Sequence, residues 1–177
     1  TGQYNYIADG RSKKVNIYNR QGIKVSDFGK SGPGSKFDFT IEDMAIGPDR
    51  SIYLIEYDYT QNAYRIKNHS PSGAFKFNLT THYFKKPQLA VGLDDHVYVM
   101  ASGTVTKYTL DGNYVTSATL SDYNASNPKL YYWDLAVDID GNLYVAYLIR
   151  GATPFENVYK AAKYSNTGEL LFEYKLY

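Results

Sequence analysis

Three short segments and one arginine carry the side chains best suited to bind another molecule. They place flat aromatic rings beside charged or imidazole groups, a combination that suits sugars, peptides and protein surfaces. We predict a ligand-binding face made of ten residues: Tyr57, Asp58, Tyr59, His82, Tyr83, Lys85, Tyr131, Tyr132, Trp133 and Arg150. All ten lie in stretches predicted as long loops, where function is often concentrated. The same rings are also suited to packing between neighbouring sheets.

Catalytic chemistry has fewer candidates. Only one of the three histidines, His82, lies with these loops, which is too few for a zinc site with three histidine ligands. A calcium site with oxygen ligands could use Glu42, Asp43 and Asp134, near the starts of strands. No Gly-x-Ser-x-Gly nucleophile motif occurs. We therefore predict no catalytic residues, no bound metal and no cofactor; whether the protein is an enzyme stays open, with a non-catalytic role favoured.

Composition narrows the classes of partner. The net charge of +1 gives no reason to expect nucleic acid, which usually requires a clustered basic face. The absence of cysteine excludes disulfides and cysteine-ligated zinc. No apolar run approaches the roughly 20 residues that a membrane-spanning helix needs. The expected partner is therefore a protein, a peptide or a glycan.

The elements that would position these residues come from an internal repeat. Tyr6, Tyr53, Tyr98 and Tyr144 are separated by 47, 45 and 46 residues. Alanines in the preceding stretches keep the same spacing: Ala45, Ala90 and Ala136. Two markers with one period indicate a repeat architecture.

Each repeat is predicted to form four short antiparallel strands. A hairpin such as "LAVDIDGNLYVA" (135–146) supplies the first two, and a glycine-containing turn separates the third from the fourth. Tyrosine, with 20 of 177 residues, favours strands. No segment has a helical period over ten residues.

Four-stranded units at this period predict an all-β fold, a β-propeller. About four blades are covered, three complete and the first lacking its first strand, and we expect them to be part of a six-bladed ring. The predicted blades of this single domain span residues 1–37, 38–84, 85–128 and 129–177.

The first repeat resembles an NHL-type repeat. The matching residues are Ile7-Ala8-Asp9, Val15-Asn16-Ile17-Tyr18, Gly22, Phe28-Gly29, Gly32, Gly34 and Phe37. The whole chain is also similar to the broader group of six-bladed, TolB-like propellers. The resemblance implies a propeller whose ligands meet the face that carries the long loops.

These observations favour a non-catalytic NHL-like propeller that binds a protein, peptide or glycan. We expect it to belong to a larger secreted or cell-surface protein. Two alternatives stay open: a calcium- or zinc-dependent propeller hydrolase or lyase with its site at the central channel, and a structural module whose exposed blades are completed by other chains.

Overall fold

The computed structural model describes residues 4–29, 39–83, 85–123 and 130–176. Almost all regular structure in this part of the chain is β-strand. The strands are β1 (Asn5–Asp9), β2 (Lys14–Tyr18), β3 (Lys24–Gly29), β4 (Phe39–Ile46), β5 (Ile52–Asp58), β6 (Ala63–His69), β7 (Phe75–Tyr83), β8 (Gln88–Val91), β9 (His96–Ala101), β10 (Thr104–Thr109), β11 (Tyr114–Thr119), β12 (Leu130–Val137), β13 (Leu143–Ile149), β14 (Val158–Tyr164) and β15 (Leu170–Lys175). A 3-10 helix of one turn spans Pro154–Glu156. No helix in the described residues is long and apolar enough to cross a membrane.

The strands form four separate antiparallel sheets, one for each sequence repeat. Sheet 1 contains β1 to β3, sheet 2 contains β4 to β7, sheet 3 contains β8 to β11 and sheet 4 contains β12 to β15. In every sheet each strand pairs with its neighbour in the sequence. The predicted four-strand repeat is therefore confirmed, with three strands described for the first.

Glycine fixes the last hairpin of each sheet. Gly22, Gly73, Gly112 and Gly168 all have φ between 75° and 89°, a left-handed conformation that other residues rarely adopt. Each donates its amide to the residue three positions earlier, for example Gly73 to the Ser70 carbonyl at 2.9 Å. The repeated glycine is thus a turn requirement that recurs once per sheet.

The chain divides into two compact units, residues 1–84 and 85–177. In the first unit, one face of sheet 1 packs on sheet 2. Val15 and Ile52 are fully buried in this core, and Tyr6 and Phe28 border it. Alternation along β2 explains the arrangement, because Val15 and Ile17 point to the buried side while Asn16 points away.

In the second unit, sheet 3 packs on one face of sheet 4. Tyr98 and Met100 from β9 meet Leu143 and Val145 from β13, with Tyr164 from β14. All five side chains are almost completely buried. The first-strand residues Ala90 and Leu135 belong to the same cluster. Apolar residues at alternate positions on both partners therefore make a continuous core between the two sheets.

Candidate functional site

Most of the predicted binding residues lie in strands and not in loops, contrary to the sequence prediction. Seven are in strands: Tyr57 and Asp58 in β5, His82 and Tyr83 in β7, and Tyr131, Tyr132 and Trp133 in β12. Tyr59, Lys85 and Arg150 lie just beyond strand ends. Cross-strand pairing extends the strands, since Asp58 pairs with Ala63 and Leu130 with Ile149.

In sheet 2, three tyrosines form a ring cluster around the hairpin between β5 and β6. The Tyr57 ring lies 4.9 Å from that of Tyr59, edge to face, and 4.8 Å from that of Tyr64. The Tyr57 hydroxyl donates to the side chain of Asn62. Tyr59 is 55% exposed, so the cluster presents one free aromatic face to a ligand.

Asp58, also predicted to bind ligand, is held by its own hairpin. Its carboxylate accepts bonds from the Thr60 hydroxyl at 2.6 Å and the Thr60 amide at 2.9 Å, and pairs with Arg65 at 2.7 Å. The Thr60 hydroxyl is the main cause of the lowered pKa of Asp58, and burial acts in the opposite direction. The carboxylate therefore closes the hairpin.

The next predicted residues are His82, Tyr83 and Lys85. Tyr83 ends β7 and pairs in register with Tyr64, a member of the tyrosine cluster of sheet 2. The side chain of His82 lies outside the described residues. Lys85 is exposed and belongs to the second unit.

In sheet 4, three of the predicted residues, Tyr131, Trp133 and Arg150, make ring contacts near the surface. The Arg150 guanidinium lies 4.2 Å from the centre of the Tyr131 ring and donates to its hydroxyl at 3.4 Å. Trp133 packs on Tyr159 with ring centres 5.2 Å apart. These contacts leave Trp133 53% exposed.

Tyr132 differs from its two neighbours because its hydroxyl is buried. Its ring packs between Tyr123 and Tyr147, at 6.3 and 6.0 Å. Burial raises the pKa of its phenol, and the charge of Asp122 adds to the shift. Among the described residues no group bonds to the Tyr132 hydroxyl. Tyr132 is therefore part of the core of the second unit.

Next to Tyr132, two buried phenols bond to carboxylates at the surface, a pattern that the sequence did not predict. Tyr164 donates to Asp122 at 2.8 Å, and Tyr147 donates to Glu173 at 2.7 Å. Burial is the largest cause of the raised pKa of both phenols. These partners are 26 or more residues apart, so no local pattern signals them.

The first strands of sheets 2 and 4 share a bulge beside a carboxylate. Register shifts occur between Ile41 and Asp43 and between Tyr132 and Asp134, which leaves one extra residue in β4 and in β12. In both strands the following aspartate accepts the next backbone amide, at 2.8 Å for Asp43 and 2.9 Å for Asp134. Bulges re-aim side chains and are frequent beside active sites.

These carboxylates do not form a complete metal centre by themselves. Within the described ranges, no group of three or more histidine, aspartate or glutamate side chains is placed to hold a metal ion. Asp134 is exposed, and nothing in the described part of the chain bonds to its Oδ2. Asp134 is thus able to offer one hard oxygen ligand of the kind that calcium prefers.

A tyrosine–lysine–aspartate group recurs in sheets 3 and 4. Asp94 accepts from Tyr98 at 2.6 Å and from Lys107 at 2.9 Å. Burial favours the neutral form of Asp94, but the bonds from Tyr98 and Lys107 outweigh it and lower the pKa of the carboxyl. In sheet 4, the corresponding residues are Tyr144, Lys163 and Asp138, with distances of 3.3 Å and 3.1 Å to the carboxylate.

Solved structures share this fold at low sequence identity. The calcium-binding protein regucalcin from Agrobacterium tumefaciens superposes with a TM-score of 0.68 and 13% identity, over 97% of this chain and 56% of that one. A luciferin-regenerating enzyme gives 0.63 and 15%, over 96% and 57%. A gluconolactonase from Xanthomonas campestris gives 0.60 and 14%, over 95% and 57%.

The chain thus spans less than three fifths of the length of these structures. No protein-family model matches the sequence, and no curated protein matches it significantly in sequence. At such low identity the likeness establishes the fold alone. The chain is a partial β-propeller of about four blades, similar in fold to the propellers of regucalcin and gluconolactonase.

Proposed function

We propose that this chain is part of a propeller enzyme that hydrolyses a small cyclic ester with the aid of a divalent cation. The observation that carries the proposal is the exposed carboxylate of Asp134 beside the bulge in the first strand of sheet 4. In propellers the first strand of each blade is the one nearest the central channel, where small ligands bind. Solved propellers of similar fold include a calcium-binding protein and a gluconolactonase, which supports the same class. Because one fold can host many functions, the proposal rests on the Asp134 site and not on the fold alone.

Residues of this chain would supply part of the cation's ligands. A bound divalent cation polarises an ester carbonyl toward attack by water. Asp134 contributes an exposed carboxylate oxygen, oriented by the Leu135 amide that bonds to its Oδ1 at 2.9 Å. We assign the remaining ligands to parts of the whole protein other than the residues described.

Calcium titration of the purified parent protein, which includes this chain, tests this proposal. We expect Ca²⁺ to bind and to raise the thermal midpoint, and Asp134→Asn to weaken binding at least about tenfold, because a charged ligand is replaced by a neutral one of the same size. Asp140→Asn is the matched control, since Asp140 lies in the hairpin turn at the other end of β12. Asp134→Asn should also reduce gluconolactone hydrolysis more than Asp140→Asn does. Equal Ca²⁺ affinity in the two variants would remove the assigned role.

A second candidate is a non-catalytic module that binds a peptide or glycan. It is favoured by the ring cluster of Tyr57, Tyr59 and Tyr64, which presents the exposed Tyr59 beside the fixed carboxylate of Asp58. Stacking on such rings is a common mode of sugar and peptide recognition. On a glycan and peptide array, Tyr59→Ala should lose binding that wild type and Tyr114→Ala retain. Binding that survives Tyr59→Ala would exclude this cluster as the site.

The remaining expectations stand as proposals about the whole protein. We propose secretion or display on the cell surface, from the lack of cysteine and the abundance of tyrosine and asparagine. The NHL-type character of the first repeat and the carbohydrate specificity are proposals of the same kind. A structural role, in which other chains complete the ring, is the third candidate. Localisation of the tagged parent protein by cell fractionation tests the compartment.

A further inference from the structure

A cavity of about 550 Å³ lies between sheet 3 and sheet 4, within the second unit. Sheet 3 lines it with residues 115–119 of β11 and with Val105, and sheet 4 lines it with Leu143, Asn166 and Thr167. Sites for small molecules commonly have volumes of about 300–1,000 Å³ and combine an apolar lining with a few polar groups. This cavity therefore has the size and the mixed lining that one small ligand needs.

In the first unit, an aromatic ring occupies the position equivalent to this cavity. Val15 of β2 pairs in register with Phe28 of β3, just as Val105 of β10 pairs with Ala118 of β11. The Phe28 ring lies against the last hairpin of sheet 2, so close that a Cβ atom on Gly73 would clash with it. Ala118 has no ring to reach the corresponding hairpin of sheet 4. The space that Phe28 fills in the first unit is therefore left open in the second.

The cavity is also more polar than the equivalent part of the first unit. There, the buried Ile17 pairs with Ser26, whereas the equivalent pair in sheet 3 is Lys107 with Thr116, and both of these line the cavity. The Lys107 ammonium forms an ion pair with the Asp94 carboxylate at 2.9 Å. Because the charge of Lys107 is already matched, a charged ligand would have to displace Asp94 from it. A neutral ligand therefore suits the cavity better than an ion.

Two neutral side chains in the lining are free to bond to a ligand. In the described part of the chain, nothing bonds to the Thr116 hydroxyl or to the Asn166 carboxamide. A hydroxyl and a carboxamide can each both donate and accept hydrogen bonds, which matches the hydroxyl groups of a ligand. The apolar side chains of Val105 and Leu143 beside them match C–H groups of the same ligand. This combination is suited to a compound that carries hydroxyls on a carbon ring.

We propose that the cavity between sheets 3 and 4 is a binding site for a neutral, hydroxyl-rich small molecule of about the size of a monosaccharide. Its hydroxyls bond to Thr116 and Asn166, and its C–H groups lie against Val105 and Leu143. The ion pair of Lys107 with Asp94 stays intact when the ligand binds. The proposed site contains neither Asp134 nor a cation, so it is independent of the proposed enzymatic function.

Filling the cavity tests the proposal, and Ala118→Phe does so with the ring that Phe28 supplies at the equivalent position. Saturation-transfer difference NMR of the purified parent protein, which includes this chain, should show D-glucose binding in the millimolar range. Ala118→Phe should reduce the signal severalfold. Ala152→Phe is the matched control, because Ala152 is an exposed alanine of the same unit, and it should retain the signal. Asp134→Asn should also retain it, which separates this site from the proposed enzymatic site.

Several results would overturn the proposal. Glucose binding that survives in a folded Ala118→Phe variant, or that is lost in Asp134→Asn, would place the sugar elsewhere. If Ala118→Phe does not fold by circular dichroism, Thr116→Val decides, since it removes one hydroxyl at nearly constant size: affinity should fall severalfold, and unchanged affinity would exclude the cavity. Stronger binding of gluconate than of glucose would identify an anionic ligand at Lys107. Failure of D-glucose, D-galactose and myo-inositol alike to bind would exclude the ligand class.

Discussion

Tyr98 and Tyr144 occupy the same position in successive repeats and form the same contacts, but they differ in what covers them. Exposure rises from 3% for Tyr98 to 39% for Tyr144. Since an aromatic side chain buries about 150–250 Å² in total, a difference of roughly a third is about 70 Å². At about 25 cal/mol per Å², this corresponds to about 2 kcal/mol of burial free energy. We therefore expect Tyr98→Ala to destabilise the protein by about 2 kcal/mol more than Tyr144→Ala.

The comparison is matched because both substitutions remove a hydroxyl bonded to an aspartate and a ring beneath a lysine. Including the cavity left in the core, Tyr98→Ala should cost about 3–5 kcal/mol in total. Urea unfolding followed by Trp133 fluorescence and circular dichroism measures both free energies of unfolding within the second unit. Equal losses for the two variants would refute the packing of sheet 4 on Tyr98.

Two further predictions concern buried polar groups. Tyr164→Phe should lower the free energy of unfolding by about 1–3 kcal/mol, because the Asp122 carboxylate loses a bond of 2.8 Å, whereas Tyr174→Phe at an exposed ring should have little effect; thermal melts of the two variants check this. Burial lowers the pKa of His69, so the unfolded chain binds the proton more readily, and the free energy of unfolding should fall as the pH drops below about 6.5. Urea unfolding between pH 7.5 and 5 should show this fall in wild type and less of it in His69→Gln; an equal fall in both would contradict it.

The repeat and its strands were predictable because their signals are local. A left-handed turn favours glycine, and Gly73 and Gly112 were identifiable from the sequence between alternating apolar stretches. The ends of the strands were less predictable. Tyr57 and Tyr131 resemble loop residues in sequence, but pairing with Tyr64 and Leu148 places them in sheets.

The candidate site was predicted only in part because it depends on contacts distant in sequence. The bulges at β4 and β12 arise from the register between two strands, which a single strand does not encode. Tyr132 and Trp133 are adjacent in sequence, yet one hydroxyl is buried and the other ring is exposed. Which aromatic ring is available to a ligand depends on the sheet that packs over it.

Amide hydrogen exchange measured by mass spectrometry tests the four-blade account most directly. Slow exchange is expected in the inner strands of each sheet, β5, β9 and β13 among them, since each pairs on both sides. Protected segments should therefore recur with the 45- and 46-residue spacing of Tyr53, Tyr98 and Tyr144. Fast exchange is expected at the glycine turns between them. Protection that runs unbroken through those turns, or that lacks this spacing, would contradict the account.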